Sequence, residues 1–294
     1  MSRRTVVLNF DDAAGHFPGA QAVDLRRYQE AIRFGCGWRQ FRNFACWLSP
    51  QLPAQTGAVF TGSGDYHHLS WLLLSRLPAN RPVQLIVCDN HPDNMRYPFG
   101  IHCGSWVYWA SRLPQVAAVH VIGISSADIG AGHAWENHWR PLMSGKLTYW
   151  SVGRPARWTR LIGRPDAARN FDHADALLDA LLPQVGALPV YLSIDKDVLS
   201  PAVVSTNWDQ GTFREQDLLR LIARCRGRLA GADITGDVSQ WRYRSRFKRL
   251  LSGADGQRVP EEEELRRWQA PQQALNRRLL AALSGAWIAD EAAD

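Results

Sequence analysis

Acidic and histidine side chains recur at two-residue spacing in this chain. Asp89-Asn90-His91-Pro92-Asp93 alternates carboxylate, imidazole and carboxylate, and Asp195-Lys196-Asp197 sets two carboxylates two apart. A third stretch, Gly62-Ser63-Gly64-Asp65-Tyr66-His67-His68-Leu69-Ser70, supplies a histidine pair. In an extended segment residues i and i+2 point the same way, so Asp89, His91 and Asp93 can share one side, as can Asp195 and Asp197. Each stretch by itself is a weak signal, because paired carboxylates are common on surfaces and adjacent histidines are more often solvated or core than ligating. Together they would set up to five carboxylate or imidazole groups around one point, with His67 or His68 in addition. Four carboxylates so close repel strongly unless cations lie between them. The chemistry suited to that arrangement is a pair of divalent ions clamped by shared carboxylates.

The elements that must position these groups are short apolar, β-branched runs at 5–10, 57–61, 83–88, 119–123, 190–194 and 229–232. Near-continuous apolar runs suit strands buried on both faces of a parallel sheet. Helical periodicity fills the gaps, with apolar positions 174, 177, 178, 181 and 182 in one stretch and 218, 219, 221, 222 and 225 in another. Strand and helix in alternation predict one α/β domain over 1–294, a doubly wound, mainly parallel sheet with helices on both faces. Residues 242–294 read as a mostly helical extension, in which Pro271 is expected to interrupt a helix that resumes over 274–284. In such sheets ligands bind beyond the carboxyl ends of the strands. The second, third and fifth runs lead straight into the three stretches above.

At these residues the sequence resembles the arginase and agmatinase family, the ureohydrolases, whose pattern is Gly-Gly-Asp-His-Ser, then Asp-x-His-x-Asp, then Ser-x-Asp-x-Asp-Val-Leu-x-Pro. The second element is complete as Asp89-Asn90-His91-Pro92-Asp93, and the third as Ser193-Ile194-Asp195-Lys196-Asp197-Val198-Leu199-Ser200-Pro201. The first is looser, with a residue inserted or shifted, and His67 aligns best because Ser70 then falls on a small polar position. The resemblance spans roughly residues 57 to 240. It implies an arginase-like three-layer α/β/α fold and two manganese ions, bridged by Asp89 and Asp195. His67 and Asp93 would complete one site, His91 and Asp197 the other. An oxygen-rich set with some imidazole suits Mn²⁺. Two ions bring a bridging water's pKa near neutrality and so provide hydroxide. Asp93 could accept a hydrogen bond from that hydroxide, and His102, in Gly100-Ile101-His102-Cys103-Gly104-Ser105, is the candidate to shuttle protons to a leaving amine. The implied activity is hydrolysis of a C–N bond in a guanidino or amidino small molecule. A deacetylase-like amidohydrolase of the same fold, or a non-catalytic binding protein, is the alternative.

The chain departs from the family where substrate is chosen. The family's Asp-x-x-Glu-x-Asn-Pro corresponds to Asp233-Ile234-Thr235-Gly236-Asp237-Val238-Ser239, with Gly236 at the Glu that pairs a guanidinium. Asp237, one place later, would point to the other face unless the backbone bulges. With no acid at that position, arginine and agmatine are expected to be poor substrates. The loop Asn207-Trp208-Asp209-Gln210-Gly211 also differs. Substrate-binding candidates are therefore Asp209, Asp237 and Trp208, whose ring could stack on a planar guanidinium.

Composition narrows the remaining classes. The 294 residues are 46% hydrophobic and 21% charged, enough to bury a large core and too apolar for a disordered chain. The net charge of +6 invites a nucleic-acid partner, but the basic stretches 154–169 and 242–249 match no nucleic-acid-binding signature. Solvated faces or an oligomer contact explain them better. No run of 18 uncharged apolar residues exists, so no membrane span is expected. The first apolar run is too short for a signal-peptide core. Five cysteines without a pairing rhythm suit a reducing cytoplasm. A homo-oligomer is an expectation by resemblance.

Overall fold

Two apolar layers sandwich one sheet in this protein, and the alternation along each strand assigns its residues to them. The structure, a computed structural model, describes residues 3–288; the outer ends of the expected domain lie outside them. The strands are β1 (Arg4–Asn9), β2 (Gln21–Asp24), β3 (Thr56–Phe60), β4 (Val83–Cys88), β5 (Val116–Ile124), β6 (Leu147–Val152), β7 (Ala168–Phe171), β8 (Val190–Asp195) and β9 (Leu229–Thr235). They form one nine-stranded sheet in the order β2-β1-β3-β9-β8-β4-β5-β6-β7, with every pair parallel. Leu85 and Val87 of β4 face a layer that includes α1 (Trp38–Leu48) and α2 (Leu69–Ser75). Ile86 and Cys88 face the opposite layer, built on α3 (Ala174–Leu181), α4 (Glu215–Arg224) and α6 (Glu262–Ser284). The central strands β4 and β8 are buried at every position, which is why they read as unbroken apolar runs.

Three strands of this sheet went unread in the sequence. β2 and β7 are the sheet edges, short and partly exposed, so burial leaves little apolar pattern in them. β6 had a usable signal, an aromatic run between Gly145 and Gly153, both at positive φ (75° and 71°).

The expected break at Pro271 is absent. α6 runs through it from Glu262 to Ser284. Proline removes the donor for the Arg267 carbonyl, but both residues are exposed, so water can take that bond. Leu275, Leu279 and Leu283, all fully buried, hold the helix on the sheet. The basic stretch 242–249 is not simply a solvated face either. α5 (Arg246–Ala254) turns Lys248 inward, where Nζ donates to the carbonyls of Glu30, Ala31 and Arg33 at 2.8, 3.3 and 2.8 Å. Among the described residues, no helix is long and apolar enough to cross a membrane.

Candidate metal centre and its pocket

The four strands β3, β9, β8 and β4 are neighbours in the middle of the sheet, and the loops leaving β3, β8 and β4 carry the acids and histidines. Ile194 of β8 pairs with Cys88 of β4, so Asp195 and Asp89 follow at the same level on adjacent strands. After β3, Ser63 Oγ accepts from the Asp65 N–H at 3.3 Å and closes the turn Gly64–Tyr66 that delivers His67. Asp93 sits at φ 46°, a left-handed backbone that a non-glycine residue keeps only where its surroundings enforce it.

These groups meet at hydrogen-bond distance. His67 Nδ1 lies 2.9 Å from Asp93 Oδ2, 3.1 Å from Asp89 Oδ2 and 3.5 Å from Asp195 Oδ2. His91 Nδ1 lies 2.9 Å from Asp197 Oδ2 and 3.4 Å from Asp89 Oδ1. Asp89 thus presents one oxygen to each histidine. Two groups of ligand atoms result, His67/Asp89/Asp93 and Asp89/His91/Asp197, each set within 4.8 Å. Asp195 accepts the Asp197 N–H at 3.0 Å and borders the first group.

Supporting side chains settle which ring nitrogen faces inward. Ser193 Oγ donates to Asp233 Oδ1 at 2.7 Å, so toward His67 Nε2, 2.9 Å away, it accepts. The His67 Nδ1 lone pair is then aimed at three carboxylates, a place only a proton or a metal cation can fill. Asp209 Oδ1 lies 2.7 Å from His91 Nε2 and directs Nδ1 of that ring inward. Such hydrogen-bonded partners orient ligating histidines. Burial opposes charge on His67, yet its hydrogen bonds to Asp89 and Asp93 raise its pKa well above the usual value. Burial and the Asp89 charge push Asp93 up to about 7. Burial, and again Asp89, lift Asp195 to about 6. The cluster therefore retains protons where a cation would relieve the crowding. Its donor set, four carboxylates and two imidazoles, fits hard to borderline divalent ions.

A cavity of about 460 Å³ opens over this centre. Trp208 forms part of its wall, roughly parallel to Phe34 at 6.2 Å, and His102 forms another part. His102 is 4% exposed, stacked on Tyr97 at 4.7 Å, and its Nδ1 accepts the Gly104 N–H at 3.1 Å. Its proton therefore sits on Nε2, and burial lowers its pKa to about 4, so the ring is neutral near pH 7. His68 diverges from His67: it is buried 5.7 Å from the Phe41 ring, and burial lowers its pKa well below the usual value.

One substrate-binding expectation needs correction. Asp237 does not line the cavity. It is fully buried against Lys196 Nζ, and Asn276 Nδ2 donates to it at 2.8 Å. Its one-place offset from Gly236 turns it to the far side of the strand end. Gly236, at φ 83°, has no room for a side chain: a Cβ would stand 2.6 Å from the Lys196 backbone nitrogen and crowd Asp195. Asp209 does line the cavity, but its carboxylate already holds His91 and accepts from Asn90 Nδ2 at 3.0 Å. Residues that the sequence reading missed also reach the wall, namely Asp128, His133, Glu136 and Asp255. They belong to no strand end with a recognisable spacing, so no local pattern announced them.

Comparison with known proteins places this architecture. No protein-family model matches the chain. An uncharacterized protein of Thermotoga maritima is 29% identical over 205 residues, 68% of either chain. Proclavaminate amidino hydrolase from Streptomyces clavuligerus superposes with a TM-score of 0.58 at 16% identity, covering 97% of this chain and 92% of that one. Agmatine ureohydrolase of Thermoplasma volcanium gives 0.56 at 14% identity over 97% and 90%. Arginase from Bacillus subtilis gives 0.54 at 12% identity over 96% and 98%. The chain has the arginase/agmatinase ureohydrolase fold, as its motifs implied.

Proposed function

We propose that this protein is a metal-dependent hydrolase that cleaves a C–N bond of a guanidino or amidino small molecule. The observation that carries this reading is the convergence of Asp89, Asp93, Asp195, Asp197, His67 and His91 at the floor of one cavity, with Asp89 shared between two ligand groups. His67, Asp89, Asp93 and Asp195 would hold one divalent ion, and Asp89, His91, Asp195 and Asp197 a second, Mn²⁺ being the favoured metal. When bound, the two ions would supply Lewis acidity and lower the pKa of a coordinated water.

The chain's own residues account for the rest. Trp106 Nε1 donates to Asp93 Oδ2 at 2.7 Å and fixes that carboxylate, which can accept a proton from the attacking water. His102, neutral with its proton on Nε2, can donate a hydrogen bond that orients the leaving nitrogen, while the proton Asp93 takes from the water passes to that nitrogen as the C–N bond breaks. The Trp208 ring offers a face on which a planar amidino group can stack.

Elemental analysis after incubation with Mn²⁺ should find about two ions per chain by two-metal logic, and Asp195→Ala should lose both. Loaded protein is then screened against guanidino compounds and small amides, with urea and ammonia detected separately. Absence of bound metal would sink the reading, and one ion per chain with amide turnover alone would favour the deacetylase-like alternative.

A further inference from the structure

A buried cation stands behind the turn that carries His67. Arg33, one residue past the helical turn Gln29–Ile32, is 1% exposed. Its Nε donates to Asp65 Oδ2 at 2.5 Å, Nη1 to Asp11 Oδ2 at 3.1 Å, and Nη2 to Ser63 Oγ at 3.1 Å and to Ser239 Oγ. The Tyr66 ring covers the guanidinium, with its centroid 5.5 Å from Cζ. A guanidinium taken out of water is kept only where its donors are matched. One rigid planar fork therefore fixes the positions of all these acceptors.

The acceptors come from three connections. Asp11 follows β1, Ser63 and Asp65 belong to the turn after β3, and Ser239 follows β9. Asp65, two residues before His67, is held at its other polar atoms as well. Ser63 Oγ accepts its N–H, its carbonyl accepts the Phe34 N–H at 2.9 Å, and Gln257 Nε2 donates to Oδ1 at 2.6 Å. The residue after Arg33 thus grips the same turn through its backbone. Ser239 in turn exchanges two hydrogen bonds with the Asn207 side chain, at 2.8 and 2.9 Å, next to Trp208. The other half of the centre is held by bonds between the loops after β4 and β8. There the His91 N–H donates to Asp89 Oδ1 at 2.6 Å, the Asn90 N–H donates to Asp197 Oδ1 at 3.0 Å, and Asp209 holds the His91 ring.

We propose that Arg33 is the positioning residue for the His67 side of the centre. It locks the Gly64–Tyr66 turn to the loops after β1 and β9, and so sets the affinity for the ion that His67, Asp89 and Asp93 would hold. This rests on the hydrolase reading only in taking the centre to hold two divalent ions. Ser193 fixes the rotation of the His67 ring, and the turn fixes where the ring stands. Partners that orient a ligating histidine are worth about 10–100-fold in metal affinity. Lysine at this position would keep the charge, but an ammonium lacks the fork and cannot meet Asp65, Asp11 and Ser239 together. A residue serving stability alone would weaken both ions alike or neither. The connections that Arg33 makes predict that one ion loosens and the other stays.

The test titrates Mn²⁺ calorimetrically into metal-free, full-length protein. Wild type should take up about two ions per chain. Arg33→Lys should weaken one Kd about tenfold or more while the other stays within about threefold. Arg33→Gln/Asp65→Asn neutralises both members of the buried pair, and it should show the same split if the lysine variant does not fold. Adding whichever variant folds to His67→Ala should leave the remaining Kd within about threefold, because the affected ion is already lost. Two unchanged Kd values, two that weaken equally, or a further loss in the His67→Ala background overturns the positioning role while leaving hydrolysis standing. Absence of binding by wild type overturns both. The split in Kd, with no turnover of any guanidino or amidino compound by loaded wild type, upholds the role and overturns the hydrolase reading.

Discussion

Replacing Lys196 with methionine probes the buried pair behind the centre. Lys196 lies between Asp195 and Asp197, and its ammonium pairs with Asp237, both side chains being 0% exposed. Nζ also donates to Asn276 Oδ1 at 2.9 Å, so the loop holding two candidate ligands is tied to α6. Burial lowers the Lys196 pKa and raises that of Asp237, each opposed by its partner's charge. Methionine keeps most of the volume but leaves the Asp237 carboxylate with Asn276 as its remaining side-chain donor. Removing one member of a fully buried pair costs about 3–5 kcal/mol, because the other charge stays desolvated. Against a total stability of about 5–15 kcal/mol that is a large share. At roughly 2–4 °C per kcal/mol, the melting temperature should fall by about 6–20 °C. Thermal and denaturant unfolding of metal-free protein measure the loss. The double variant Lys196→Met/Asp237→Leu should recover most of it, since an apolar pair of similar size often replaces an ion pair without penalty. A single-variant cost under about 1 kcal/mol, or a double variant as unstable as the sum of the singles, would refute the argument. If Asp237 instead held substrate, Asp237→Asn would raise KM with little change in melting temperature.

His67→Ala should lower bound metal per chain, whereas His68→Ala should leave metal content intact and cost about 2–4 kcal/mol through the cavity left in the core; elemental analysis beside unfolding curves separates the two. His120, on β5, accepts from Trp150 Nε1 at 3.2 Å, and burial, aided by Arg169, lowers its pKa to about 4. Because that folded value is below the usual one, its contribution is complete above about pH 6.5 and is lost as pH falls toward 4, at up to about 1.4 kcal/mol per pH unit. His120→Phe removes this dependence, so the wild-type advantage should shrink by roughly 3 kcal/mol between pH 7 and pH 4 in denaturant titrations. A pH-independent difference would mean that His120 is not held neutral.

How far the sequence reaches is set by the range of the interactions that leave a mark in it. Alternation at two-residue spacing is local, so Asp89, His91 and Asp93 declared a shared side, as did Asp195 and Asp197. Burial on both faces is also local in its effect, and it wrote β4 and β8 as unbroken apolar runs. Those features indicated the central strands of the sheet, the edge bearing the site and five of its candidate metal ligands, and the resemblance favoured His67 as the sixth. Tertiary structure decided the rest. The separation of His67 from His68 depends on Ser193 of β8, which lies across the sheet from their turn. Asp237 was drawn to Lys196 and Asn276 instead of the cavity because a buried carboxylate goes where a cation can neutralise it. Pro271 stays inside α6 because packing of Leu275, Leu279 and Leu283 outweighs one solvent-facing hydrogen bond. Asp128 and Glu136 come from the β5–β6 connection and Asp255 from the segment after α5, and only folding brings them to one wall. Long-range pairing of charges has no period along the chain, so it is invisible until the chain is closed upon itself.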